Sequence, residues 1–426
     1  MFELRRVVAV LLMLIPFASC STDRDAGEGA RAGEALVVQV SGETEEVAVY
    51  RAAARAFEED NPDIDVRLVG VASKDDHLSR LVTAFSGGTP PDVFLVNFRE
   101  YAQFVTRGAI EPIEGHLADA GIDRAEYFAP PLEAFTYDGA LQCMPQNISS
   151  LVVYYNKTLF QRVRLDEPDG SWDWVGFRET ARALTGDGVH GLGIEPSIIR
   201  LAPFVWANGG DIVDDPQAPE RFTLSEPRAR AALEYVVALV HDGLVPSADE
   251  VAAQDLETRF ASGKLGMYLS SRRDTPVFRE ITSLDWDVAP LPSAPDGGRA
   301  GILHSDAYCI AAGTEHLDAA IRFVGFMTGR QGASITALGG RTVPSLRSVA
   351  RSGAFLDPSQ PPARSEVFLE SIPIIRRTPV MPTWPEIEAV AEQVLTRAFY
   401  EDGYSVEDAI SDLDRLTRPL FREGRG

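Results

Sequence analysis

Basic residues are scarce in this chain. Forty Lys and Arg stand against 63 Asp and Glu, a formal net charge of −23. Phosphate backbones require a basic surface, so nucleic acid is excluded as a partner. Catalytic signatures with fixed spacing are also missing. No HExxH, GxSxG or GxxxxGK followed by Ser or Thr occurs, which removes the zinc-protease, nucleophile-elbow and phosphate-loop readings. No GxGxxG follows Val40, which weakens a dinucleotide reading. The six histidines are scattered, and Asp75-Asp76-His77 reads as a helix start rather than a metal site. Neither a metal nor a cofactor is expected. A secreted carbohydrate-active enzyme remains the rival class. It needs two carboxylates at a set separation, and 63 acids supply chance pairs without a distinctive pattern.

Cysteine is rare as well, limited to Cys20, Cys143 and Cys309. The first of these closes MFELRRVVAVLLMLIPFASC, in which Arg5 and Arg6 precede an apolar run, Val7–Ile15, and small residues. That is the layout of a secretory signal peptide. The run is too short to span a bilayer as a permanent helix. Phe17-Ala18-Ser19-Cys20 resembles a bacterial lipobox, in which the cysteine is lipidated; Phe17 stands where Leu is usual. Plain secretion is the alternative. Residues 1–20 are therefore expected to be a lipoprotein signal, and 21–34, small and polar, a flexible tether. The chain is expected to work outside the cytoplasm, anchored to the cell membrane by lipid.

What is present is a globular composition: 45% hydrophobic and 24% charged over 426 residues, enough for two or three domains. Leu36–Val40, Val66–Val71 and Asp92–Val96 read as strands. Between them lie helical patterns, one on Val47, Tyr50, Ala54 and Phe57, the next on Leu78, Leu81, Val82 and Phe85. Strand and helix in alternation indicate a parallel sheet covered by helices. The pattern breaks at a hairpin turn, Tyr137-Asp138-Gly139, and a second α/β unit begins near Ser150 with SLVVYY. Further strands fall at Lys264–Ser270, Trp286–Pro292 and Ala307–Gly313, and Pro385–Leu420 is mostly helical. Open α/β sheets bind ligands beyond the carboxyl ends of their strands. Two units facing each other would form a cleft.

Seven stretches then acquire meaning together: FEEDNPDIDV (57–66), GTPPDVFLV (88–96), YYNKTLF (154–160), WANGGDI (206–212), FASGKLGMYLS (260–270), WDVAPLP (286–292) and GGRTVPS (339–345). In this order the sequence resembles the extracellular solute-binding proteins of ABC transporters, family 1, to which the maltose-binding protein belongs. The resemblance implies a two-lobed, periplasmic-binding-protein-like α/β fold with hinge strands between two α/β domains. Lobe I would comprise 35–142 and 308–344, and lobe II 144–307 and 345–426. Cys143 and Cys309 would then lie on hinge strands, either bonded or as two buried thiols. The implied function is capture of a sugar or oligosaccharide between the lobes by a monomer, and delivery to permease subunits in the membrane, without catalysis. An anionic solute, such as a sugar phosphate or uronate, is the alternative.

A sugar site needs aromatic faces for stacking and planar polar groups for paired hydrogen bonds. On this basis the strand-end candidates are Glu43 (or a helix cap), Asn97, Gln146, Asn147, Ser149, Asp306 and Arg341. Ser149 falls where the maltose-binding protein has a sugar-contacting carboxylate, which is missing here. Arg272 would bind hydroxyls or an anion bidentately, or belong to a solvated charge pair. Trp206 reads first as helix core, with ligand stacking as its alternative. Trp384, in the general region where the resemblance implies stacking aromatics, is the leading aromatic candidate, with a hydrophobic staple on Pro385–Val394 as its alternative. Tyr154 and Tyr155 alternate across their strand and are expected to be scaffold.

Overall fold

A computed structural model describes residues 35–424, so Cys20 and the expected signal and tether lie outside the described residues. Fourteen strands occur among the described residues. The first four are β1 (Leu36–Ser41), β2 (Val66–Val71), β3 (Val93–Asn97) and β4 (Ile110–Glu111). A hairpin of β5 (Thr136–Tyr137) and β6 (Ala140–Leu141) precedes β7 (Met144–Pro145) and β8 (Val152–Asn156). Then come β9 (His190–Gly193), β10 (Leu265–Ser270), β11 (Trp286–Ala289), β12 (Gly301–Ile302), β13 (Asp306–Ala311) and β14 (Ile375–Arg376).

The first lobe is built on the sheet β2-β1-β3-β13-β4, with β7 also paired to β13. Strands β2, β1 and β3 are parallel, as the alternating pattern predicts. The late strand β13 enters antiparallel to β3, which places Asp306 opposite Asn97. The helix Thr44–Asp60 turns Val47, Tyr50, Ala53, Ala54 and Phe57 inward. The Asn61 side chain donates to Phe57 O at 2.8 Å as the helix ends before Pro62. The next helix, Lys74–Ser86, starts where Ser73 accepts from the Asp76 N–H.

The second lobe is built on the sheet β11-β8-β10-β9. Its central strand carries the two tyrosines to opposite faces. Tyr154 donates to Ser271 O at 2.8 Å, and Tyr155 donates to Glu167 Oε2 at 2.8 Å. Both rings are fully buried. Trp384, at 0% exposure, packs beside Phe222 and Phe421 at the head of the helix Trp384–Tyr400.

Three segments run side by side between the lobes. Gln146 N donates to Asp306 O (2.9 Å), Ser149 N to His304 O (2.8 Å) and Ile148 N to Val343 O (2.8 Å). A disulfide joins Cys143 to Cys309 across two of these segments, which decides between the bonded and free alternatives.

Candidate functional site

Where the lobes meet the hinge segments there is a polar cavity of about 350 Å³, within the size range of small-molecule sites. Each of its walls comes from a different part of the sequence. The loop after β1 and the following helix give Glu43, Glu46 and Tyr50; the end of β3 gives Asn97 and Arg99; the hinge gives Asn147, Ser149, His304 and Asp306. Glu195, Arg200 and Ser271–Arg273 close it from the second lobe, and Arg341 from the glycine-rich turn after the helix Arg330–Leu338.

Seven of the ten predicted residues line this cavity: Glu43, Asn97, Asn147, Ser149, Arg272, Asp306 and Arg341. Glu43 starts the helix through its backbone, and its side chain makes no capping bond. Gln146 lies one layer behind, donating to Tyr308 Oη at 3.3 Å and reached by the Tyr50 hydroxyl at 3.5 Å. The two tryptophans lie elsewhere. Trp206 is 6% exposed in the second-lobe core, with the Arg376 guanidinium 5.0 Å from its ring centre. Trp384 is in the same core. Trp206 thus matches its reading as helix core, and Trp384 packs into the core instead of forming a ligand platform. Arg272 reaches the cavity wall, but its guanidinium points away. It donates to Gly340 O (2.7 Å) and Ser365 Oγ (3.0 Å) between the rings of Phe355 and Phe368. Burial pushes its pKa down to about 9.

A line of hydrogen bonds crosses the site. Trp384 Nε1 donates to Glu388 Oε1 (2.6 Å), and Arg99 pairs with Glu388 Oε2 (2.9 Å). Arg99 Nε also donates to Asn97 Oδ1 (3.1 Å), and Asn97 Nδ2 to Asp306 Oδ1 (3.0 Å). Asn147 Nδ2 donates to the other Asp306 oxygen (3.2 Å), while its Oδ1 accepts from the Asp306 N–H (2.8 Å). Asp306 is thus held by one amide from β3 and another from the hinge.

The cavity has six cationic side chains, and five are matched by carboxylates. The pairs are Lys74–Glu100 (2.8 Å), Arg99–Glu388 (2.9 Å), Arg200–Glu195 (2.8 Å), Arg273–Asp274 (2.9 Å) and Arg341–Glu46 (2.7 Å). The sixth is Arg272, bound to backbone and hydroxyl. Burial pushes the Glu46 carboxyl up to about 7, against the opposing pull of Arg341. Burial, then the charges of Arg99 and Arg200, hold the His304 imidazole well below its ordinary value, so it is neutral. Arg200 Nε, His304 Nε2 and Thr342 Oγ1 are buried without a hydrogen-bond partner among the described residues, and all three residues line this cavity. Buried polar atoms are ordinarily satisfied, so these three are exceptions within the cavity wall.

Several of these residues escaped the sequence reading. Glu46 and Tyr50 lie inside a helix whose pattern spoke only of its inward face. Arg200 sits in Ile198–Ala207, an almost wholly apolar helix, where a lone arginine on the buried face is the one signal available.

Comparison with known proteins agrees with this plan. The chain is 26% identical to the mannitol-binding protein of Pseudomonas aeruginosa over 427 aligned positions, covering 93% of this chain and 95% of that one. An ABC substrate-binding protein of Listeria monocytogenes in complex with cycloalternan superposes with a TM-score of 0.82 at 22% identity, covering 90% of this chain and 98% of that one. UgpB of Mycobacterium tuberculosis in complex with glycerophosphocholine superposes with a TM-score of 0.79 at 21% identity, covering 92% and 100%. These superpositions show the two-lobed periplasmic-binding-protein fold. The sequence profile of the bacterial extracellular solute-binding protein matches residues 52–362. The chain belongs to the family of bacterial extracellular solute-binding proteins.

Proposed function

We propose that this protein captures a neutral, hydroxyl-rich solute, a sugar, oligosaccharide or polyol, between its lobes and delivers it to the permease of an ABC importer. The observation that carries the reading is the charge pairing in the cavity. Five of the six cations have a carboxylate within 3 Å, and Arg272 is committed to Gly340 and Ser365. An anion would have to compete with these partners or remain uncompensated in a partly desolvated site. Hydroxyls instead donate to carboxylates and accept from guanidinium and amide groups without disturbing the pairs. The cavity does lack a wide aromatic platform; Tyr50 is its aromatic residue. That favours hydrogen bonding over stacking as the source of specificity.

In this reading the chain works as a monomer and catalyses nothing. Solute contacts made only in the closed arrangement favour closure, and the permease receives that form. Lipidation at Cys20, with 21–34 as tether, would hold the protein at the membrane; mass spectrometry of the mature N-terminus tests it. The solute is tested by a thermal-shift screen over neutral sugars, polyols, and their phosphates and uronates. A ligand at 100 Kd adds about 2.7 kcal/mol of stability. Shifts with acidic compounds alone would replace the neutral reading with the anionic one. Turnover of a glycan would move the protein to the enzyme class.

A further inference from the structure

The polar cavity continues outward. A second cavity of about 750 Å³ adjoins it, and the two share Glu43, Glu46, Tyr50, Arg273, Arg341 and Thr342. The Glu46–Arg341 ion pair stands at this junction. Beyond it the chemistry of the walls changes. Val49 and Leu338 face the groove from first-lobe helices, Val277 and Ile281 from the second lobe, and Pro276 and Pro361 complete an aliphatic lining. Leu338 is 63% exposed, the highest value among the large exposed hydrophobic side chains described.

Single exposed leucines are common and need no account. This one is different because it belongs to a groove with apolar walls from both lobes, continuous with the solute cavity. Two occupants suit such a groove. A second sugar ring would need aromatic faces and planar polar pairs, and apart from the shared Tyr50 the groove lining contains no aromatic residue. Hydrocarbon needs neither, and gains by leaving water. The rim carries Glu43, Glu45 and Glu280, while Arg279 is engaged with Pro361 O (2.6 Å). An acidic rim of this kind disfavours an anionic substituent.

We propose that the solute is amphiphilic. Its hydroxylated head occupies the polar cavity, and a neutral hydrocarbon substituent passes Arg341 into the groove between Leu338 and Val277. This rests on the neutral-solute reading above, because the head occupies that site. Closure of the lobes would bury the substituent from both sides, so the apolar part contributes to the same motion as the polar part.

The test is calorimetric titration with methyl, butyl and hexyl β-D-glucosides and the matching maltosides, below their micellar concentrations. Affinity should rise about four-fold per methylene, the equivalent of about 0.8 kcal/mol. In Leu338→Glu the methyl glycosides should bind as before, while the gain per methylene falls towards one-fold. Val277→Asp provides the same test from the opposite wall. If methyl glycosides bind and longer chains add nothing, the groove proposal is overturned and the neutral-solute reading stands. If no glycoside binds, the neutral apolar dye N-phenyl-1-naphthylamine separates the two. Fluorescence enhancement in the parent protein that is lost in both variants supports the groove and places the failure with the head. No enhancement, or equal enhancement in all three proteins, overturns the groove.

Discussion

Replacing Glu388 by Gln should weaken solute binding by about thirty-fold without unfolding the protein. Glu388 stands on a second-lobe helix, and Arg99 lies two residues beyond Asn97, the last residue of β3 in the first lobe, so their 2.9 Å contact joins the lobes. The two side chains are 14% and 19% exposed, which limits solvent screening without abolishing it. A hydrogen bond to a charged group in such a place contributes about 2 kcal/mol, and that is about thirty-fold in an equilibrium constant. If the pair forms only when the lobes close, the whole loss appears in the closed-to-open ratio and therefore in affinity. Glutamine keeps the shape and can still accept from Trp384 Nε1, so the second-lobe core is preserved. The assay is calorimetry with whichever sugar or polyol gives the largest thermal shift, run as a double-mutant cycle with Arg99→Gln. The expected coupling is about 2 kcal/mol. A coupling within about 0.3 kcal/mol of zero, with affinity unchanged in Glu388→Gln, would refute the idea that this pair holds the closed arrangement.

Three further outcomes follow from the same geometry. Asn147→Ala removes both of its bonds to Asp306 and should weaken solute binding five-fold or more, by about 1–3 kcal/mol; Tyr155→Phe, which loses one bond to Glu167 on the far face, should leave calorimetric affinity intact and cost about 1 kcal/mol of stability. Removing the Cys143–Cys309 bond by a double Cys→Ala change frees a loop of 166 residues and should lower stability by about 3–5 kcal/mol in denaturant titrations, with an unchanged transition midpoint as the contrary result. Glu46 is raised from 4.5 to about 7 by burial, so the folded state holds a proton that the unfolded state releases at lower pH. Its contribution to stability is most favourable below about 4.5 and is lost as pH rises to about 7, by about 3 kcal/mol in total. The stability difference between parent and Glu46→Gln should change by that amount over this window, and a flat difference would contradict the burial account.

The regular elements were largely readable from periodicity. The parallel β2-β1-β3 core and the two tyrosines on opposite faces of β8 follow local patterns. The polar line through the site was not readable, because its links are long-range. Asn97 and Asp306 are 209 residues apart and become neighbours only through the antiparallel register of β13 on β3. No local pattern reports that pairing. Trp384 shows the opposite problem, a local signal given too little weight. Trp384 lies at helical spacing with Ile387, Ala391 and Val394, all buried. That periodicity indicates core, whereas the expectation of a stacking platform came from the resemblance. Family likeness located the cleft well, but could not say which aromatic residues this chain retains in it.

Trp384 still acts on the site, though from behind. Its indole N–H holds one oxygen of Glu388 while Arg99 takes the other. A carboxylate fixed at both oxygens loses little freedom when the lobes meet, so more of the ion-pair energy remains for closure. Arg99 in turn fixes the Asn97 amide, and Asn97 fixes Asp306. The orientation of Asp306, a cavity carboxylate, is thereby tied to whether the second-lobe helix is docked. A solute hydroxyl bound to Asp306 would favour that orientation and, by linkage, the docked helix. Binding and closure then share one set of hydrogen bonds, and one link of it, Arg99–Glu388, is among the ion pairs of the cavity's cations. On the neutral-solute reading, paired cations leave hydroxyl geometry as the criterion for closure, where an unpaired one would attract anions to the open cleft.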